Sequence, residues 1–210
     1  QALGGSEGNF VGGGAIRACS AVTGQGSPER RDARVRLVQE AREKSALAPV
    51  RLPIDRVFSV DGFGTVVTGT LTEGAVQVGD AVELVPSGLQ SRVRTLQVHG
   101  ESVDAAYAGQ RAALNLTNLQ KSEIRRGDAA VRPGSARSSR MLDVRLRCLR
   151  NAKRTVLNGS QVHLYHGTSV HLAKAVLLAR AALRPGESCL AQLGLTQAMA
   201  DDRGNRVTIR

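Results

Sequence analysis

Aromatic residues are scarce in this chain of 210 residues, which has no tryptophan, two tyrosines and three phenylalanines. The composition therefore does not favour binding of single-stranded nucleic acid by serial stacking of bases on aromatic side chains. Hydrophobic residues still make up 41% of the chain. A chain of this length can bury one large core or two small ones, built from Val, Leu, Ile and Ala.

Other absences narrow the class of protein further. The sequence has no run of about 18 apolar residues that could span a bilayer. The opening segment "QALGGSEGNF" lacks the basic start and apolar middle of a signal peptide. The three cysteines, Cys19, Cys148 and Cys189, are widely separated and odd in number, which favours free thiols over a disulfide framework. We expect a soluble cytoplasmic protein that does not bind membranes.

The sequence also lacks complete catalytic machinery. It contains no G-x-x-x-x-G-K-[ST] phosphate loop and no Asn-Lys-x-Asp guanine-binding motif. Its histidines include no H-x-x-x-H pair, and the three-residue spacing of His163 and His166 places them on opposite faces of an alternating strand. We therefore expect no catalytic residue and no metal site.

Positive charge is concentrated in the C-terminal part of the chain. The formal net charge is +11; residues 136–210 hold 13 basic and 4 acidic side chains, whereas residues 50–135 hold 9 of each. This distribution predicts a phosphate-rich partner that binds mainly to the C-terminal part. A solvated basic surface in an arginine-rich protein is the alternative interpretation.

The hydrophobic pattern predicts one helix followed by many short strands. A helix is expected from Ser27, which can cap it, and it should end by Pro49. From residue 50 the period becomes two: Val67, Gly69 and Leu71 share one face, and an Asp-Gly turn at residues 61 and 62 predicts a hairpin. Further strands are predicted on both sides of a linker at residues 132–140, which indicates an all-β architecture of barrels or sandwiches.

Seven of the predicted segments carry a resemblance to a known family, namely "RLPIDRVF", "GFGTVVTGTL", "VRTLQVHG", "AGQRAALNL", "MLDVRLRCL", "VHLYHGTSV" and "LRPGESCLAQL". They resemble segments of SelB-type selenocysteine-specific elongation factors, which are translational GTPases. The resemblance covers roughly residues 51–210 and implies two tandem antiparallel β-barrels of the elongation factor type. Residues 49–134 would form a domain-two-like barrel and residues 135–210 a domain-three-like barrel.

The upstream segment "SAVTGQG" resembles the last nucleotide-contacting loop of such GTPases. The resemblance implies that residues 1–48 are the C-terminal remnant of a GTPase domain, with Ser20 and Ala21 next to the nucleotide. In the intact protein the cofactors would be GTP and Mg²⁺. Without a phosphate loop this chain should bind neither and should be inactive alone as a GTPase.

The same resemblance implies a pocket for the aminoacyl group formed by Asp55, Arg56 and Arg111. The two arginines would supply positive charge to a selenolate, and Asp55 would orient them or meet the amino group of the ester. Arginine suits this task because its guanidinium stays charged at physiological pH. Without the resemblance, an ion pair at a barrel rim would be the preferred interpretation, because such pairs are common and weak.

Candidate contacts with the tRNA backbone lie in the second barrel. Arg145 and Arg147 fall on the polar face of "LDVRLRCL", and further basic residues follow them, namely Arg150, Lys153 and Arg154. Such contacts position a nucleic acid without reading its sequence. His163 is a further candidate, for which a structural role in the barrel is the alternative.

The implied partners are selenocysteinyl-tRNA, the ribosome and a selenocysteine-insertion RNA hairpin, the last through a C-terminal region that this sequence does not include. A monomer is expected. Three other interpretations remain open: an elongation factor for ordinary aminoacyl-tRNA, the GTPase subunit of sulfate adenylyltransferase with protein-docking barrels, and a structural barrel with no ligand.

Overall fold

The computed structural model describes residues 17–40, 47–201 and 204–210. Helix α1 (Ser27–Glu40) begins where the sequence predicts, and none of its residues is buried. Its predicted continuation passes through residues 41–46, which lie outside the described residues. No helix in the described ranges is long and apolar enough to cross a membrane.

The rest of the described chain consists of short antiparallel strands. In the first half they are β1 (Arg51–Val60), β2 (Gly64–Thr70), β3 (Ala75–Gln77), β4 (Ala81–Val85), β5 (Leu89–Val98), β6 (Glu101–Ser102), β7 (Ala105–Tyr107), β8 (Arg111–Leu116) and β9 (Ala129–Val131). In the second half they are β10 (Arg137–Arg147), β11 (Val156–Leu157), β12 (Gln161–His166), β13 (Ser169–Leu177), β14 (Ala182–Leu183), β15 (Ser188–Asp201) and β16 (Thr208–Ile209). A short 3-10 helix, Lys121–Glu123, lies between β8 and β9.

The first half forms a closed barrel. Its strand order is β4-β9-β1-β2-β8-β5, and pairing of β4 with β5 closes the ring, while β6 extends β5 at one end. The predicted hairpin is present, with Val60 paired to Gly64 across the turn. Gly62 in this turn has a φ of 75°, a left-handed conformation that favours glycine.

Period-two alternation decides which side chains fill the barrel. Val67 and Leu71 are fully buried as predicted, and Leu52, Leu96 and Leu114 from three other strands meet them in one core. Gly69 lies between Val67 and Leu71 on the inner face, where a Cβ atom would be 2.2 Å from the carbonyl oxygen of Pro53. This close approach explains why a glycine interrupts an otherwise branched strand.

The second half forms an open sheet. Its order is β10-β15-β13-β12-β16, so in the described part of the chain β10 and β16 are its edges. Leu142 and Leu146 alternate with polar residues on β10 and pack into two small apolar clusters, as the pattern predicts. Strand β10 begins at Arg137, inside the segment that the sequence predicts as a linker. A closed barrel followed by this half-barrel confirms the all-β class of the elongation factor type.

The two halves contact each other along β1. Thr168, in the turn between β12 and β13, donates a hydrogen bond from Oγ1 to the carbonyl oxygen of Ile54 over 2.8 Å. Gly127 packs against Ser169 so closely that a Cβ atom would lie 2.3 Å from the Ser169 Cβ. The second sheet therefore holds the backbone immediately before Asp55.

Candidate functional site

A β-bulge explains how two consecutive charged side chains face solvent on β1. Ile54 pairs with Gly69 and Arg56 pairs with Thr68, so Asp55 is one extra residue on its strand. A bulge of this kind re-aims a side chain, because it interrupts the strict alternation of faces. Ile54 points into the core and Val57 packs against it, which leaves both Asp55 and Arg56 on the outside.

Asp55 and Arg111 form a bidentate ion pair on this outer face. Arg111 Nη2 donates to Asp55 Oδ1 over 3.0 Å, and Arg111 Nη1 donates to Asp55 Oδ2. Arg111 is the first residue of β8 and lies opposite Thr70 of β2, so the pair spans three adjacent strands. The carboxylate is 21% exposed and the guanidinium 48% exposed, which places the pair at the rim of the barrel.

Thr68 is a third member of this cluster. Its Oγ1 donates a hydrogen bond to Asp55 Oδ1 over 2.9 Å, and Arg111 Nη2 lies 3.4 Å from the same hydroxyl oxygen. Thr68 is not among the residues predicted from the sequence. The alternation in "TVVTGTL" places it on the outer face, but its contact with Asp55 depends on the bulge in β1.

The cluster keeps Asp55 ionised. Hydrogen bonds from Arg111 lower the pKa of the Asp55 carboxyl, with further lowering from Thr68 and from the charge of Arg56, while burial opposes the shift. The same hydrogen bonds raise the pKa of the Arg111 guanidinium. Both groups are therefore charged at neutral pH.

Arg56 differs from Arg111 in its contacts, because it acts on Asp55 only through its charge. Within the described ranges its side chain makes no hydrogen bond and no ion pair, and it is exposed. Two guanidiniums and one carboxylate give this cluster a formal charge of +1. One positive charge is thus left over for a ligand, and Arg56 is the group that carries it without compensation.

A second candidate surface lies at the open side of the second sheet. A cleft of about 1600 Å³ runs along β10 and the last residues of the chain, with apolar side chains such as Leu142 and Ile209 in its wall. Its charged lining is strongly basic: two acidic residues, Glu73 and Asp143, face eight basic ones, namely Arg51, Arg137, Arg145, Arg147, Lys153, Arg154, Arg206 and Arg210.

This cleft brings together most of the residues that the sequence predicts to contact RNA. Arg145, Arg147, Lys153 and Arg154 line it, whereas Arg150 and His163 do not. His163 is exposed on β12, and its backbone pairs with that of the last residue. The sequence analysis missed the other four basic residues of the lining because they come from distant segments, although the charge surplus of residues 136–210 pointed to three of them.

The upstream loop that carries Ser20 and Ala21 is compact and precedes α1. Ser20 N–H donates to the carbonyl oxygen of Gln25 over 2.9 Å, and Ser20 Oγ accepts from Thr23 N–H over 3.2 Å. The Ser20 backbone is therefore occupied within its own turn. A role of Ser20 and Ala21 beside a nucleotide stays a prediction from the family resemblance.

Comparison with known proteins places these features in a family. Residues 64–131 match the family described as Elongation factor Tu domain 2. A selenocysteine-specific elongation factor from Desulfomicrobium baculatum is 37% identical over 203 residues, covering 97% of this chain and 32% of the relative. One from Haemophilus influenzae is 34% identical, covering 91% of this chain and 30% of the relative.

A solved structure agrees with these sequences. The crystal structure of a bacterial selenocysteine-specific elongation factor, EF-Sec, matches 90% of this chain and 30% of its own with a TM-score of 0.75 and 29% identity. This chain spans about a third of the length of the relatives that it matches. Over nearly its whole length this chain is similar to selenocysteine-specific elongation factors, and residues 64–131 match an elongation factor family.

Proposed function

We propose that this chain is the tRNA-binding, two-barrel part of a selenocysteine-specific elongation factor. Its first barrel would recognise the selenocysteinyl group, and its second sheet would hold the backbone of the tRNA. In the intact protein, GTP and Mg²⁺ bound to a GTPase domain would control delivery to the ribosome in the cytoplasm. The observation that carries the proposal is the outer cluster of Asp55, Thr68 and Arg111 beside the uncompensated Arg56.

The charge of this cluster suits a selenolate. A selenol is far more acidic than a serine hydroxyl, so esterified selenocysteine is largely anionic at neutral pH. At an effective dielectric of about 20, two unit charges about 4 Å apart interact by roughly 4 kcal/mol before desolvation is subtracted. A net gain of only about 1.4 kcal/mol would give tenfold selectivity over the neutral serine ester.

The basic cleft suits the tRNA backbone. Neutralisation of phosphates by lysine and arginine releases counterions, so the affinity should fall steeply as salt rises. Arg145 and Arg147, on the exposed edge strand β10, are the central candidates. Lys153 and Arg154 would extend the same surface, and Arg150 and His163 remain candidates outside the cleft.

Other partners follow from the family and lie beyond these residues. The relatives are about three times as long as the matched region. We propose that the selenocysteine-insertion RNA hairpin binds outside the two barrels and that the chain acts as a monomer. Ser20 and Ala21 would join the nucleotide site only as part of a complete GTPase domain.

Two alternative functions make different demands on the same residues. An elongation factor for ordinary aminoacyl-tRNA needs no uncompensated cation in its aminoacyl pocket. The presence of Arg56 therefore disfavours this alternative. A GTPase subunit of sulfate adenylyltransferase would dock a protein through its barrels. The eight basic residues around one cleft favour a polyanionic partner instead.

The pocket is tested by comparing affinities for selenocysteinyl-tRNA and seryl-tRNA. Arg56→Ala and Arg111→Ala should each lower the ratio of the two affinities towards one, because each removes a positive charge near the ester. The affinity for seryl-tRNA, which depends on backbone contacts, should change little. An unaltered ratio in both variants would refute selenium recognition at this cluster.

The RNA surface is tested separately by salt dependence. Arg145→Glu combined with Arg147→Glu should weaken binding of both tRNAs by about tenfold or more and flatten the dependence of affinity on salt. Lys174→Glu combined with Arg184→Glu reverses the same amount of charge at exposed positions of the second half but outside the cleft lining, and serves as the control. Equal losses in the two double variants would indicate a diffuse basic surface without a tRNA site.

A further inference from the structure

Thr68 occupies a position between the two partners of the Asp55–Arg111 pair. Its hydroxyl donates its proton to Asp55 Oδ1 over 2.9 Å, and its oxygen lies 3.4 Å from Arg111 Nη2. On the neighbouring strands it pairs with Arg56 of β1 and with Ala113 of β8. It is therefore central to the cluster although it carries no charge.

We propose that Thr68 is a positioning residue that fixes the Asp55–Arg111 pair in one geometry and thereby sets the direction of the Arg111 guanidinium. The use of that direction for selenocysteine recognition rests on the proposed function. The positioning itself rests on the three hydrogen-bond distances within the cluster.

The contacts of Asp55 show how the hydroxyl acts. Oδ1 accepts from both Thr68 and Arg111, and Oδ2 accepts from the second Nη atom of Arg111. The carboxylate is thus committed to these two residues and makes no hydrogen bond to Arg56 within the described residues. Thr68 consequently helps to hold Asp55 in its pairing with Arg111, while Arg56 acts on the carboxylate through its charge alone.

The residue type suits this role. Threonine is branched at Cβ, so its χ1 angle is restricted and its hydroxyl is held in a defined direction. An arginine side chain loses about 2 kcal/mol of rotamer entropy when it is ordered. If the carboxylate that orders Arg111 is itself held in place, this ordering is complete before the ligand arrives, which favours affinity and selectivity.

Three variants test the proposal. Thr68→Val keeps the shape and removes the hydroxyl, and Thr68→Ser restores a hydroxyl. Thr70→Val is the matched control, because Thr70 lies on the same outer face of β2, opposite Arg111, and its side chain makes no hydrogen bond within the described residues. The first measurement is an NMR titration that gives the pKa of the Asp55 carboxyl. The second is the ratio of affinities for selenocysteinyl-tRNA and seryl-tRNA.

The Asp55 pKa should rise in Thr68→Val, return towards its original value in Thr68→Ser and stay unchanged in Thr70→Val. The affinity ratio should fall by about threefold to tenfold in Thr68→Val, as for the loss of one ordinary hydrogen bond. An unchanged Asp55 pKa in a folded Thr68→Val protein would overturn the positioning role. A raised pKa with an unchanged affinity ratio would support positioning and count against the proposed function of the pocket.

Discussion

Both halves of the molecule consist of antiparallel strands with alternating apolar and polar residues, but only the first half closes into a barrel. In the first, six strands close into a ring and surround a single core. In the second, five strands stay open between β10 and β16, the buried apolar residues divide into smaller clusters, and a cleft of about 1600 Å³ lies at the opening. Closure therefore coincides with a single core, and the open side coincides with the positive charge.

This difference bears on the meaning of the basic residues. An open sheet edge presents unpaired backbone groups, and charged side chains on such an edge discourage pairing with another chain. The arginines of β10 can serve this purpose as well as RNA binding. In the first barrel the pairing of β1 with β9 ends at Pro53 and that of β8 with β5 stops at Ala112, so the charged residues there lie at the barrel rim. Their carboxylate and guanidinium are paired with each other in a bidentate geometry, which makes this cluster the more specific indicator of function.

The largest expected effect compares the two cores by matched leucine substitutions. Leu114→Ala in the closed barrel should lower the free energy of unfolding by about 3 to 5 kcal/mol, because the cavity is sealed. Leu142→Ala in the second sheet should cost about 2 kcal/mol, because its side chain lines the cleft and water can fill the space.

Denaturant unfolding measures both losses. The two tyrosines, Tyr107 in β7 and Tyr165 in β12, report on one half each when replaced by fluorotyrosine. Equal losses for the two leucines would contradict the contrast between a sealed core and an open one.

A smaller effect compares two strand glycines. Gly69→Ala should lower the free energy of unfolding by about 1 to 3 kcal/mol, because its Cβ would collide with the Pro53 carbonyl oxygen. Gly194→Ala in β15 should be neutral or stabilise by about 0.5 kcal/mol, because the nearest atom, the Lys174 carbonyl oxygen, is 4.0 Å from the new Cβ. Thermal unfolding of both variants measures these two changes in stability. A destabilised Gly194→Ala protein would show that the second sheet is packed as tightly as the first.

Much of the fold follows from the sequence because turns and alternation are local signals. The hairpin before Gly64, the inward face of β2 and the alternation on β10 were all predicted from neighbouring residues. Closure was implied only by the family resemblance and not by the local pattern, because it depends on the pairing of β4 with β5 and on the curvature of the whole sheet. The resemblance implied a barrel for the second half as well, where the described residues form an open sheet.

The candidate site likewise has residues that were predicted in advance and features that only the structure shows. The residues Asp55, Arg56 and Arg111 came from the family resemblance. The bulge that turns Asp55 outward has no sequence signal, since it appears only when Ile54 and Arg56 are matched to Gly69 and Thr68. The contact of Thr68 with Asp55 follows from this three-dimensional register and not from spacing along the chain.

The smallest expected effect separates the two halves by pH. Burial lowers the pKa of His171 in β13, whose Nε2 lies 3.0 Å from Ser169 Oγ. In the unfolded chain a histidine has a pKa of about 6.5, so below that value the unfolded state binds more protons and the stability of the second sheet should fall. The lowered pKa of Asp55 has its effect only in stronger acid, below the ordinary carboxyl value of about 4. Acidification from pH 7 to pH 5 should therefore weaken the second sheet and spare the first barrel, as read by the two fluorotyrosines. His171→Gln should abolish the difference, whereas His163→Gln, at an exposed position of β12, should preserve it.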